Sequence, residues 1–185
     1  MAEKAIRVQN SGDNLVKKSS NIVLVGFMGT GKTSVGKRLA ERLGMTFLDM
    51  DDVIEEREGK SIPRIFAEEG EPFFRSLERK LVHKLSAETG LVIGAGGGIV
   101  LNPKNIRDYS RTGLVVCLSA TPEVILERVA GETHRPLLAG DNKMKKIVDI
   151  LESRRKFYNA IPCQVDTTNL SIEEIVDKII TLYQS

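Results

Sequence analysis

Along this chain the apolar positions switch repeatedly between a continuous or alternating pattern and a four-residue stripe, and each switch marks an element. Residues 22–25, Ile22-Val23-Leu24-Val25, form an unbroken apolar run of strand length, the pattern of a strand buried on both faces. Directly after it Val35, Leu39 and Leu43 repeat at helical spacing, which predicts a helix over 33–43 that Gly44 stops. The succession then recurs. Strands are predicted at 46–51, at 91–93, at 114–118 and, shorter, at 164–166, with helices in the gaps. Helix starts are marked by Ser61 before Pro63, Asn102 before Pro103 and Thr121 before Pro122, and Ser171 with Glu174 makes a capping box. Alternation of this kind predicts an α/β fold: a five-stranded parallel sheet covered by helices on both faces.

Two stretches fall outside the pattern. Residues 1–20 carry Glu3, Lys4, Arg7, Asp13, Lys17 and Lys18 without periodicity or an apolar stretch of signal type, and are read as a disordered arm in a cytoplasmic protein, or as a short segment that docks on a partner. Residues 130–145, with Gly131, Pro136 and Gly140, are read as a mobile lid inside a single domain spanning 21–185. Composition narrows the partners. With 27 Lys and Arg against 25 Asp and Glu, the net charge of +2 argues against coating a nucleic acid. No apolar run approaches the roughly 20 residues of a membrane span. Cys117 and Cys163, with apolar neighbours, read as core residues rather than as a disulfide or a zinc site.

Gly26-Phe27-Met28-Gly29-Thr30-Gly31-Lys32-Thr33 fits G-x-x-x-x-G-K-[ST] between a predicted strand and a predicted helix. Its backbone N–H groups can cradle phosphates, Lys32 can reach the terminal ones, and the Thr33 hydroxyl can ligate Mg²⁺. Asp49 and Asp51, two apart on the predicted second strand, are expected to leave one face at its carboxyl end; there they serve metal and acceptor, or else cap the next helix. Arg75 and Glu78, three apart on a helix, read by themselves as a surface ion pair. Gly94-Ala95-Gly96-Gly97-Gly98 is richer in glycine than a turn needs and predicts a close approach of ligand or backbone. Arg135 is either an arginine carried over a phosphoryl group or an exposed charge. His83 and His134 have no partner at metal spacing.

Taken in order, the phosphate loop, Phe47-Leu48-Asp49-Met50-Asp51, Phe74-Arg75-Ser76-Leu77-Glu78, Gly96-Gly97-Gly98 and Arg135-Pro136-Leu137-Leu138 closely resemble the shikimate kinases, P-loop enzymes of the nucleoside-monophosphate-kinase-like branch, over about residues 21–183. The resemblance implies a three-layer nucleotide-kinase-like sandwich that moves the γ-phosphoryl of ATP to the 3-hydroxyl of shikimate, on the route to chorismate and the aromatic amino acids. It implies that Gly29, Thr30, Gly31, Lys32, Thr33 and Ser34 hold the phosphates, with Mg²⁺ on Thr33 and, through water, on Asp49. Asp51 would contact the acceptor hydroxyls and act as base. Arg75 and Arg154 would grip its carboxylate, Glu78 would hold Arg75, and Gly96, Gly97 and Gly98 would line the ring. Arg135 would reach the phosphates, while Arg128, Asp166 and Thr167 would wall the adenine. Binding partners are ATP and shikimate, and a monomer is expected. Rival readings are a kinase of gluconate or a nucleoside monophosphate, a GTPase switch and a catalytically silent regulator. Against the switch, Asn142-Lys143-Met144-Lys145 lacks the closing Asp of a guanine motif.

Overall fold

In the computed structural model, which describes residues 20–130 and 142–185, strand β1 (Asn21–Gly26) is buried along its whole length. Its alternating side chains explain why. Ile22 and Leu24 pack with Val35, Leu39 and Ala40 of α1 (Lys32–Leu43) and with Ile175, Val176 and Ile179 of α7 (Ile172–Gln184). Val23 and Val25 pack on the opposite face with Phe74, Leu81, Tyr109, Ile125 and Tyr158. A strand with helices on both sides has no solvent face, so its sequence reads as continuously apolar.

Around β1 the sheet is wholly parallel, in the order β2-β3-β1-β4-β5. Its other strands are β2 (Thr46–Asp49), β3 (Leu91–Gly94), β4 (Gly113–Ser119) and β5 (Cys163–Asp166). The five strands and the helices on both faces agree with the predicted fold class. Among the described residues the other helices are α2 (Met50–Glu58), α3 (Ile62–Leu85), α4 (Pro103–Thr112), α5 (Pro122–Val129) and α6 (Lys143–Asn159), with a single 3₁₀ turn at Ile99–Leu101. Asn102 and Thr121 cap α4 and α5 as their positions predict, and the Ser171–Glu174 capping box is formed. Cys117 and Cys163 are both free, the first buried and the second half-buried.

Three local features depart from the sequence reading. The second strand ends at Asp49 instead of running to residue 51, because the Asp49 carboxylate accepts the Asp51 N–H at 3.1 Å and starts α2 at Met50. Asp51 is therefore a first-turn helix residue, and the two carboxylates do not share a strand face. Helix α3 is interrupted at Gly70, whose φ of 82° is non-helical, two residues before Pro72. On its C-terminal side the polar stretch read as 130–145 gives way to α6 already at Lys143, with Asn142 capping Lys145. The arm up to residue 19 and the segment 131–141, including Arg135, lie outside the described residues.

Candidate active site

The phosphate loop, Asp49 and the glycine run all lie at or just beyond the carboxyl end of a strand, the edge where open α/β sheets bind ligands. From β1 the chain enters the phosphate loop and then α1, whose N-cap Gly31 provides no side-chain bond. That leaves the first N–H groups of the helix for an anion. Lys32 Nζ donates to the carbonyls of Gly26 and Phe27, at 3.0 and 2.8 Å, which folds its amine back over the loop. The buried Thr30 hydroxyl donates to Phe27 O at 2.8 Å and fixes the loop from inside. Thr33 Oγ1 donates to Asp49 Oδ2 at 3.0 Å, while Asp49 Oδ1 is the cap of α2.

Across the cleft, α3 presents Arg75 and Glu78. Arg75 Nη1 meets Glu78 Oε2 at 2.6 Å, and Arg75 Nη2 and Nε meet Glu71 Oε1 at 2.8 and 3.1 Å. This is not a surface pair, since Glu78 is 1% exposed. Burial pushes the Glu78 carboxyl above its ordinary value, the Arg75 guanidinium pulls against that rise, and the Asp51 charge adds to it. Among the described residues Glu78 Oε1 has no hydrogen-bond partner.

The glycine run after β3 closes on this pair. A Cβ on Gly98 would stand 2.4 Å from both terminal nitrogens of Arg75, and one on Gly96 would stand 2.8 Å from Glu78 Oε1 and 3.0 Å from Asp51 Oδ1. The close approach predicted from composition is thus made by side chains of the protein's own site. From α6, the buried Arg154 donates through Nη1 to Gly97 O at 3.1 Å. Asp51, the Arg75–Glu78 pair and Arg154, distant from one another in sequence, meet around three consecutive glycines.

On the far side of the phosphate loop Arg128 donates to Gly29 O at 3.2 Å, to Thr167 Oγ1 at 3.0 Å and to Thr167 O at 2.9 Å. The buried Thr167 hydroxyl donates in turn within reach of Thr30 O and Ser119 O, at 3.2 and 2.9 Å. Asp166 accepts from the N–H and hydroxyl of Thr168, at 2.9 and 2.6 Å, which lowers its carboxyl below the ordinary value.

Comparison with known proteins places this arrangement. The family model described as "Shikimate kinase" matches residues 28–184. The chain belongs to the shikimate kinase family. It is 44% identical over 163 residues to the shikimate kinase of Caldanaerobacter subterraneus subsp. tengcongensis, covering 88% of this chain and 95% of that one. With the shikimate kinase of Pelotomaculum thermopropionicum the identity is 46% over 160 residues, 86% of this chain and 93% of the relative. A solved shikimate kinase from Acinetobacter baumannii, in complex with shikimate, superposes with a TM-score of 0.84 at 38% identity, covering 88% of this chain and 92% of that one. A gluconokinase from Sinorhizobium meliloti, 19% identical with a TM-score of 0.56, shares the fold alone.

Within this shikimate kinase family member, Glu71 is the neighbour that a motif search misses: it holds Arg75 from one turn earlier, and an i,i+4 spacing is its sole sign in the sequence. Tyr158, four residues after Arg154, shares its partner Gly97 O, and Thr168, inside the loop 166–169 that the resemblance sets against the adenine, fixes Asp166. Ser34 is exposed beside Thr33 at the start of α1. Among the described residues no helix is long and apolar enough to cross a membrane.

Proposed function

We propose that the cleft between the phosphate loop and the glycine run transfers the γ-phosphoryl of ATP to the 3-hydroxyl of shikimate, giving ADP and shikimate 3-phosphate for the route to chorismate. The observation that carries this reading is the delivery of two guanidinium groups, Arg75 from α3 and Arg154 from α6, to Gly97 and Gly98. A small ring acceptor with one carboxylate and several hydroxyls suits that arrangement: guanidinium donors match paired carboxylate oxygens, and Asp51 beside Gly96 offers an acceptor for a hydroxyl proton.

In this mechanism residues 29–34 hold the phosphates on loop amides, Lys32 and the start of α1. Asp51 orients and deprotonates the attacking hydroxyl, Glu71 and Glu78 keep Arg75 in place, and Arg75 with Arg154 fixes the ring by its carboxylate. Positioning of the hydroxyl in line with the phosphoryl group and neutralisation of its charge supply the rate enhancement. Arg128 and Thr167 brace the loop on the adenine side. Arg135 completes the charge around the phosphoryl group on the strength of the sequence resemblance.

The donor set fits Mg²⁺. Thr33 and Asp49 bring hard oxygen atoms within 3.0 Å of each other beside the phosphate loop, and among the described residues no three His, Cys, Asp or Glu side chains cluster to cage an ion alone. An ion held by a hydroxyl, a water on Asp49 and phosphate oxygens is the usual manner of Mg²⁺, which when bound neutralises phosphate charge. We propose a cytoplasmic enzyme that acts as a monomer.

A coupled assay of ADP release tests the reading. Turnover should depend strictly on shikimate, and gluconate or a nucleoside monophosphate should not replace it; turnover independent of shikimate would remove the assignment.

A further inference from the structure

The Gly97 carbonyl receives two donors. Arg154 Nη1 reaches it at 3.1 Å and the Tyr158 hydroxyl at 2.7 Å. Both side chains come from one face of α6, one turn apart, and both are buried to 8% exposure. A carbonyl has two lone pairs and can satisfy both donors at once. Gly97 is also a junction: a Cβ there would stand 3.5 Å from Gly26 O and 3.7 Å from Met28 N of the phosphate loop, and 3.7 Å from Arg154 Nη1. Tyr158 further lines a cleft of about 280 Å³ behind that loop, together with Phe27, Thr30 and Cys117.

The two donors differ in what they can do next. A guanidinium on a long stem can swing to an anion and form stronger, charge-assisted bonds. The phenol of Tyr158 has a ring packed in the main core cluster and a single proton to donate. Burial raises the ionisation of this phenol above its ordinary value, with the Arg154 guanidinium opposing the rise, so near neutral pH the proton remains available to Gly97.

We infer that Tyr158 is a positioning residue of the acceptor site: by holding the Gly97 carbonyl, it lets Arg154 leave that carbonyl for the carboxylate of the acceptor. Among the described residues, removing the hydroxyl leaves Arg154, which also hydrogen-bonds the phenol, as the one side-chain donor on the carbonyl, and moving it to substrate strips a half-buried oxygen of its partner. The glycine run would also lose its tie to α6 at the moment the substrate needs its backbone in place. This inference rests on the proposed role of Arg154 in carboxylate binding.

The test is steady-state kinetics of Tyr158→Phe, which removes one oxygen and keeps the ring, with shikimate and with its uncharged carboxamide. The KM for shikimate should rise about tenfold, that for ATP should stay within about twofold, and the KM for the carboxamide should be the same in variant and parent. Arg154→Ala is the control for the underlying reading and should weaken the preference for shikimate over the carboxamide, with Arg75 keeping the remainder. If Arg154→Ala weakens it while Tyr158→Phe leaves the KM for shikimate unchanged, Arg154 keeps its role and the role of Tyr158 is refuted. If Arg154→Ala leaves the preference intact, the carboxylate reading itself fails and the inference falls with it. A rise of KM for both acceptors, or for ATP as well, would reduce Tyr158 to a packing residue and overturn the proposal.

Discussion

Gly98→Ala isolates the position of one guanidinium. The backbone at Gly98 has φ −94° and ψ 0°, a conformation alanine can take, so the substitution adds no strain and slightly restricts the unfolded chain. Its entire effect is steric: the new methyl would lie 2.4 Å from Nη1 and Nη2 of Arg75 and 2.6 Å from Cζ. Ordinary contact requires the guanidinium to retreat by about 1 Å. A flexible side-chain end can do so, and folding stability should fall by no more than about 1 kcal/mol. Carboxylate recognition should suffer far more. Loss of one charge-assisted bond of a bidentate pair removes about 1.5–3 kcal/mol, so the KM for shikimate should rise about 10- to 150-fold while the KM for ATP barely moves. Both constants come from the ADP-release assay, and a thermal melt reports folding. A folded variant with unchanged KM for shikimate would refute the reasoning, as would an equal rise for ATP, since the three atoms nearest the new methyl all belong to Arg75.

Two further outcomes follow from neighbouring carboxylates. Asp51→Asn should lower turnover by about 10²-fold or more while nucleotide still binds, as measured by ADP release alongside nucleotide titration; near-normal turnover would exclude Asp51 as the base. Glu78 gives a pH signature. Its folded-state value lies above the ordinary 4.5, so its contribution favours folding fully below that pH and is lost as pH rises through the folded value. Glutamine does not titrate, and the stability of Glu78→Gln relative to the parent should therefore climb from about pH 4.5 towards neutrality in urea denaturation; a flat difference would contradict it.

Most of the scaffold was legible because local pattern and tertiary demand coincide in it. The apolar run of β1 and the stripe of α1 flank a loop whose glycines and lysine suit a phosphate and little else, and the caps at Asn102, Thr121 and Ser171 are local by nature. Residues 46–51 misled because Leu48-Asp49-Met50-Asp51 alternates like a strand. The competing signal, an aspartate before two more acidic residues in a first helical turn, decides the structure. Arg75 and Glu78 show the other limit. Their spacing fits an exposed ion pair, and only the packing of the glycine run against them reveals that Glu78 is buried. The same holds for Arg154 and Tyr158, whose common partner lies 57 and 61 residues away and leaves no trace in local sequence.

Asp49 also acts as a spacer. One of its oxygen atoms is committed to the α2 backbone and the other to the Thr33 hydroxyl, so a single side chain ties the start of α1 to the start of α2, and its length sets their spacing. Glutamate would keep the charge but lengthen the spacer by one carbon–carbon bond, about 1.5 Å. It would have to give up one of its two attachments or push the two helices apart. Charge alone cannot therefore replace aspartate here: the starts of α1 and α2 are held in register by reach as much as by electrostatics.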